Sequence, residues 1–132
     1  MPVYAECGGL IYLAERFKDK NGELYNLVGL VPGAIEMTDR LQSFGYKEIT
    51  TQANTFLFEE GKSLRSHEFH YSRWVAAESP FLKPYRIQER ADGFCCDSIL
   101  ASYQHLHFGS DPSLAVRFVE SILEAKLGAK SV

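Results

Sequence analysis

The sequence predicts an α/β domain built around a mixed, β-rich sheet, and three observations support this fold class. A short apolar run at residues 2–4 is followed by residues at helical spacing. Between residues 24 and 103 the pattern changes to short β-like segments separated by Gly, Pro, Asn and Asp. An amphipathic helix then precedes Gly128. The 132 residues, 45% of them hydrophobic, predict one domain with a core of ordinary size.

The first elements are a strand at residues 2–4 and a helix that follows it. The Asn21-Gly22 pair in "KDKNGE" is a turn signal, so we expect the helix to end there. The helix itself is predicted from an apolar stripe formed by Leu10, Leu13, Ala14 and Phe17.

Six short segments predict the strands, and a second helix follows them. Asp111 can cap this helix, and Pro112 suits its first position. Its apolar stripe consists of Leu114, Ala115, Phe118, Val119 and Ile122. The strand segments are "GAIEM" (33–37), "FGYKEITT" (44–51), "TFLFE" (55–59), "SLRSHEFHY" (63–71), "YRIQE" (85–89) and "GFCCDSILASY" (93–103).

Composition excludes several classes of protein. The formal net charge of −3 and the lack of a long Lys/Arg run argue against nucleic acid or an anionic membrane as a partner. The sequence contains neither an apolar stretch of spanning length nor a secretory signal, so we expect a cytoplasmic protein. Three cysteines, with Cys95 and Cys96 adjacent, predict reduced thiols in packing roles rather than a disulfide framework.

The segment "AECGGLIYLAERF" places a cysteine between a strand and a glycine-rich helix start. At such an elbow the helix dipole and unpaired N–H groups favour a thiolate, which makes Cys7 a candidate nucleophile. The N–H of Gly8 is then placed to bind an oxyanion. The alternative is a small buried residue at a tight packing joint.

The candidate base comes from the four histidines, which fall in two clusters. In "SYQHLHF" the loop after a strand would carry His105 to the sheet edge, within reach of the elbow thiol. On an extended segment His105 and His107 face the same way and Leu106 faces the opposite way. The alternative is that both are ordinary histidines bonded to backbone groups.

The second cluster, "HEFHYS", predicts a strand whose side chains alternate between two faces. Glu68 and His70 share one face and can act together as positioning residues, with an ordinary polar strand face as the alternative. Phe69 and Trp74 are predicted to lie in the core. A zinc site formed by the histidines and Cys7 is disfavoured, because the elbow cysteine is not in a zinc knuckle, and no metal site is predicted.

Four stretches together carry a resemblance to a known family: "AECGGLIYL", "GYKEIT", "RSHEFHYS" and "ASYQHLHFGSDP". They resemble the C-terminal glutaminase part of cobyrinate a,c-diamide synthases, which belong to the cobyric-acid-synthase-like class I glutamine amidotransferases. The resemblance implies a flavodoxin-like fold, Cys7 as the nucleophile that attacks the glutamine amide, and His105 as its base. It also places "HEFHYS" near the active site, with Gly8, Glu68 and His70 as oxyanion or substrate-binding residues.

The family resemblance also implies partners and a longer enzyme. Ammonia released from glutamine would amidate carboxylates of the corrin ring of cobyrinate, and the full enzyme is expected to use ATP and Mg²⁺. This chain has no Gly-x-x-x-x-Gly-Lys phosphate loop, so we expect it to bind no cofactor itself. ATP binding would then fall to another domain or a companion chain.

Two departures from the family pattern qualify the resemblance. Classical class I enzymes carry a glutamate two residues beyond the histidine, where this chain has His107, so the resemblance is to the branch with a Cys-His pair. Residues 1–132 are interpreted as a partial amidotransferase domain that starts at the elbow strand, without the upstream half and the ATP-binding domain. We expect a fragment, one half of a split enzyme or a self-associating chain, with little glutaminase activity alone. The alternative function is a non-catalytic assembly or binding domain.

Overall fold

The computed structural model describes residues 1–128 and contains two α-helices and twelve strands in that range. A 3₁₀ helix at Phe108–Ser110 precedes the last helix. In chain order the elements are β1 (Val3–Glu6), α1 (Gly8–Leu13), β2 (Ala14–Lys18), β3 (Leu24–Asn26), β4 (Val31–Met37), β5 (Ser43–Thr51), β6 (Ser63–His70), β7 (Ser72–Val75), β8 (Tyr85–Ile87), β9 (Arg90–Asp92), β10 (Phe94–Cys96), β11 (Ile99–Ser102), β12 (His105–Leu106) and α2 (Ser113–Gly128).

The strands divide among three sheets rather than forming the one mixed sheet that we predicted. A three-stranded sheet has the order β1-β11-β10, with β1 parallel and β10 antiparallel to β11. A five-stranded antiparallel sheet has the order β12-β6-β5-β8-β9. A mixed four-stranded sheet has the order β3-β2-β4-β7. The mixed, β-rich α/β class is therefore confirmed.

The first helix is shorter than predicted, because Ala14 begins a strand. Ala14 has extended backbone angles (φ −63°, ψ 166°) and is fully buried. Residues 14–18 pair in parallel with β4 and antiparallel with β3, and these long-range backbone bonds override the helical spacing that included Phe17. The predicted turn at Asn21-Gly22 is present, but it joins β2 to β3.

The segment 55–59 forms a turn instead of the predicted strand. The Thr55 hydroxyl accepts hydrogen bonds from the N–H groups of Leu57 (3.1 Å) and Phe58 (3.2 Å). This turn directs both apolar side chains into the core, where neither is exposed to solvent. The apolar residues of this segment are thus buried, but the hydrogen bonds of the Thr55 hydroxyl determine the backbone conformation.

The last helix begins as predicted but buries a narrower stripe. The N–H of Ser113 donates to the Asp111 carboxylate at 3.0 Å. Leu114 is buried and Phe118 partly buried, whereas Val119 is 55% exposed. Gly128, the last described residue, is still part of α2.

Two hydrophobic clusters form the core, and the elbow lies on the second. One cluster is centred on Phe58, Tyr85 and Leu100 beneath α2. The other includes Leu10, Ile35 and Phe94, and Cys7 packs against it. Neither helix of the described residues 1–128 combines the length and the hydrophobicity that a membrane span requires.

Candidate active site

The parallel pairing of β1 with β11 brings two distant segments to one sheet edge. Glu6 is in register with Ser102 at the carboxyl ends of these strands. Cys7 directly follows β1, and His105 lies three residues beyond the end of β11. Parallel strands end on the same side of a sheet, so this register brings the nucleophile segment and the histidine segment together.

The backbone of Cys7 forms a sharp elbow between β1 and α1. Its φ of 46° and ψ of −98° are unusual for a residue with a side chain. The Cys7 N–H donates to the Ser102 carbonyl (2.8 Å), and the Cys7 carbonyl accepts from Ile11 (3.0 Å). A Cβ on Gly9 would lie 3.0 Å from the Cβ of Ala5, which explains a glycine at this close helix–strand contact.

The thiol of Cys7 is half-buried and its pKa is raised, contrary to our prediction of a favoured thiolate. Burial raises the pKa of Cys7, the N–H of Gly8 lowers this pKa, and the neighbouring Glu6 carboxylate raises it. The helix α1 has only six residues, so its dipole does not outweigh the burial. The thiol's hydrogen bond goes to the Phe69 carbonyl at 3.9 Å. A base must therefore remove the proton before this sulfur can attack a carbon.

His105 lies at the same edge, on β12, opposite His67 of β6. Its side chain is 42% exposed, and its Nδ1 atom lies 3.2 Å from Oε2 of Glu6. The alternation around it is as predicted, with Leu106 buried and His107 exposed. Glu6 was not identified in the sequence, although it directly precedes Cys7 and would share its sheet edge.

Glu68 and His70 come together as predicted, on the buried face of β6. Oε1 of Glu68 lies 2.9 Å from Nε2 of His70, and Oε2 accepts from the Ser43 hydroxyl at 2.7 Å. The guanidinium of Arg90 lies 3.4 Å from the same carboxylate. Burial raises the pKa of Glu68, but bonds from His70, Ser43 and Gln104 and the charge of Arg90 outweigh it and lower the pKa to about 2.

The imidazole of His70 connects this carboxylate to Ser72 and Tyr103. Its Nδ1 lies 2.6 Å from the Ser72 carbonyl, so both ring nitrogens face acceptors. The ring stacks on Tyr103 with centroids 3.7 Å apart, and the Tyr103 hydroxyl bonds to the Ser72 hydroxyl at 2.8 Å. Burial raises the pKa of Tyr103 to about 12, and Cys7 is among the groups close enough to act on it. Glu68 is only 1% exposed and His70 is buried as well, so the pair does not form an open polar face.

The outer face of β6 carries a groove of about 760 Å³ that borders His105. Tyr46 and His67 face each other across β5 and β6, and Arg65 and His107 line the same groove. Phe69 lies on this outer face and is 47% exposed, so its predicted place in the core is wrong. The even-numbered residues of β6 face the core and the odd-numbered residues face outward. Phe69 therefore lies on the outer face although its side chain is apolar.

The remaining predicted residues are placed as follows. Trp74 is half-buried against the second core cluster. Cys95 is buried, whereas Cys96 is exposed and has no packing role, because adjacent strand residues face opposite ways. Among residues 1–128 no group of three or more His, Cys, Asp or Glu side chains is placed to hold a metal ion.

Comparison with known proteins identifies relatives over nearly the whole chain. Cobyrinate a,c-diamide synthase of Leptospira interrogans is 40% identical over 130 residues, which cover 93% of this chain and 29% of the relative. The enzyme of the same name from Dehalococcoides mccartyi is 41% identical over 129 residues, covering 90% and 27%. That of Thermoplasma acidophilum is 37% identical over 117 residues, covering 86% and 26%. The chain thus spans less than a third of the length of these relatives.

A solved structure shows the same fold. A crystal structure of a glutamine amidotransferase superposes with a TM-score of 0.64 at 18% identity, covering 90% of this chain and 59% of the other. The family model of the CobB/CobQ-like glutamine amidotransferase domain matches residues 1–113. With the elbow cysteine and the histidine at one sheet edge, the chain belongs to the CobB/CobQ-like glutamine amidotransferase domain family.

Proposed function

We propose that this chain is the glutaminase module of a cobyrinate a,c-diamide synthase. The observation that carries the proposal is the parallel β1–β11 pair, which brings Cys7 and His105 to one edge. The names of the relatives support the choice of substrate within the family. The groove of about 760 Å³ beside His105 has the size of a small-molecule site and borders the proposed base.

In the proposed reaction, the Cys7 sulfur attacks the carbon of the glutamine side-chain amide. His105 takes the thiol proton as the S–C bond forms and returns it to the nitrogen as the C–N bond breaks, so that ammonia leaves. The N–H of Gly8, which already lies against the sulfur, donates to the oxygen that becomes negative. Water activated by His105 then hydrolyses the thioester and releases glutamate.

Glu68 and His70 act as positioning residues in this proposal. Their hydrogen bond and the stack of His70 on Tyr103 hold β6 rigid next to the elbow. Rigidity matters here because the Phe69 carbonyl, between these two residues, contacts the Cys7 sulfur.

The rest of the synthase supplies the other half of the reaction. It would bind ATP, Mg²⁺ and cobyrinate, and it would amidate the corrin carboxylates with the released ammonia. The relatives are more than three times as long as the matched region, which leaves room for such a part. We expect the 132-residue chain alone to release ammonia from glutamine slowly, and robust release by the purified chain would contradict this expectation.

The test is covalent labelling of the folded chain with a glutamine-analogue diazoketone, followed by peptide mapping. We expect selective modification of Cys7, protection by glutamine, and a loss of at least about 100-fold in rate in His105→Ala. Glu23→Gln is the control, because Glu23 is exposed and lies outside the groove, and its rate should equal that of the unsubstituted chain. Equal labelling of Cys7 and Cys96, with no protection by glutamine, would favour the alternative of a non-catalytic binding or assembly domain.

A further inference from the structure

We propose that Glu6 is the residue that orients His105, in place of the carboxylate found two positions after the histidine in classical class I enzymes. Oε2 of Glu6 lies 3.2 Å from Nδ1 of His105, and the Glu6 side chain is only 26% exposed. The position two residues after His105 holds His107, whose ring cannot serve as a carboxylate. The inference rests on the proposed function for its catalytic consequence, but its structural content can be measured separately.

The other oxygen of Glu6 is fixed by two donors. Oε1 accepts a hydrogen bond from the N–H of Leu106 at 2.8 Å, the residue directly after His105. It also accepts from the hydroxyl of Tyr4, which is partly buried and has a raised pKa and therefore remains a donor. The Glu6 carboxylate thus contacts both the backbone of β12, at Leu106, and the imidazole of His105.

The consequence for His105 follows from the chemistry of a carboxylate, which accepts hydrogen bonds and donates none. An ionised Glu6 at Nδ1 requires the proton of the neutral ring to sit on Nδ1. The Nε2 atom then carries the lone pair and can act as the base. When Nε2 takes the Cys7 proton, the ring becomes a cation beside the carboxylate of Glu6.

Glu6 does not act by ionising the thiol directly. Burial is the main reason why the pKa of Cys7 is raised, and the charge of Glu6 raises it further. Removal of that charge alone would make the thiol easier to ionise and faster to react at neutral pH. Loss of a positioned base would make it slower, so the two roles predict opposite changes in rate.

Glu6→Gln is the decisive variant, because the donors on Oε1 determine how the amide sits. Tyr4 and Leu106 both require an acceptor, so the amide oxygen takes the Oε1 position and the NH₂ group faces Nδ1 of His105. The ring should then accept at Nδ1 and carry its proton on Nε2. Nitrogen NMR of the four histidines, with His105 assigned from His105→Ala, should show this exchange of protonated and unprotonated nitrogens.

The rate of Cys7 labelling by the diazoketone should fall at least about 100-fold in Glu6→Gln, since the remaining tautomer has no lone pair at Nε2. Glu23→Gln is the control, because Glu23 is exposed and distant in the chain from both segments. Glu6→Asp keeps the charge but moves the carboxylate away from Nδ1. Its labelling rate should lie between those of Glu6→Gln and Glu23→Gln. It also serves as the test variant if Glu6→Gln does not fold.

Two results would overturn the inference. One is a His105 tautomer that is the same in Glu6→Gln as in the unsubstituted chain. The other is a changed tautomer with unchanged or faster labelling of Cys7, which would limit Glu6 to a structural role. If Cys7 is not labelled selectively in the unsubstituted chain, the proposed function fails, while the nitrogen spectrum still decides whether Glu6 sets the tautomer.

Discussion

The buried carboxylate of Glu68 should make the stability of the chain depend on pH in a defined range. Its pKa lies at about 2, against an ordinary value of 4.5 that applies when the chain is unfolded. The folded state therefore binds this proton less readily, and Glu68 contributes stability above pH 4.5 that is lost as the pH falls towards 2. The difference between 4.5 and about 2 corresponds to about 3 kcal/mol at neutral pH, of which about 2 kcal/mol is lost by about pH 3.

The substitution that tests this value is Glu68→Gln, which keeps the size of the side chain and removes the charge. At about pH 7 we expect the free energy of unfolding to fall by about 3 kcal/mol, because the bonds from His70 and Ser43 and the charge of Arg90 favour the ionised carboxylate that the amide replaces. The gap between the two proteins should close as the pH falls, since a protonated Glu68 resembles the amide. Urea unfolding can be followed through Trp74, which is half-buried and packs against Phe81 with ring centroids 5.4 Å apart.

The control is Glu48→Gln, on the neighbouring strand β5. Glu48 is exposed and accepts a hydrogen bond from Ser63 at 2.6 Å, so its loss should change stability by less than about 1 kcal/mol. A gap between Glu68→Gln and the unsubstituted chain that stays constant from about pH 7 to about pH 3 would refute the assignment of this pKa to the buried pair.

Three further outcomes follow from the packing. Gly33→Ala should lower the free energy of unfolding by about 3 kcal/mol or more, since its φ is 104° and a Cβ would lie 2.2 Å from the Val75 carbonyl. Leu114→Ala should cost about 2–5 kcal/mol, because this side chain of α2 is 1% exposed and packs in the first core cluster. With iodoacetamide, Cys96 should react readily while Cys95 reacts only on unfolding, since burial raises the pKa of Cys95 and covers its sulfur.

Each of these outcomes has a matched comparison within the chain. Gly22 has a φ of 85° but open space around it, so Gly22→Ala should cost only about 1 kcal/mol by urea unfolding. Leu123 is 54% exposed on α2, and Leu123→Ala should change stability by less than about 0.5 kcal/mol. An equal loss of stability in Gly33→Ala and Gly22→Ala, or in Leu114→Ala and Leu123→Ala, would contradict this packing. Equal reaction rates of Cys95 and Cys96 in the folded chain would contradict the placement of their side chains on opposite faces of β10.

The sequence by itself determined the local features whose signals lie within a few residues. The strand before Cys7, the alternation of Glu68 and His70 on β6, and the cap at Asp111 were all predicted and are present. Each depends on the regular alternation of side chains or on one nearby hydrogen bond, so the neighbouring residues are sufficient to predict it. The candidate pair Cys7 and His105 also came from the sequence, together with the family resemblance.

Only the tertiary structure decided which distant groups meet. The end of α1 at Leu13 and the strand that follows depend on pairing with β4, a segment nearly twenty residues away. The contact between Glu6 and His105 depends on the parallel register of β1 and β11, which joins residues about a hundred positions apart. The raised pKa of Cys7 depends on how deeply the elbow is buried. Register and burial are properties of the packed chain, because both are set by strands that no local pattern can align.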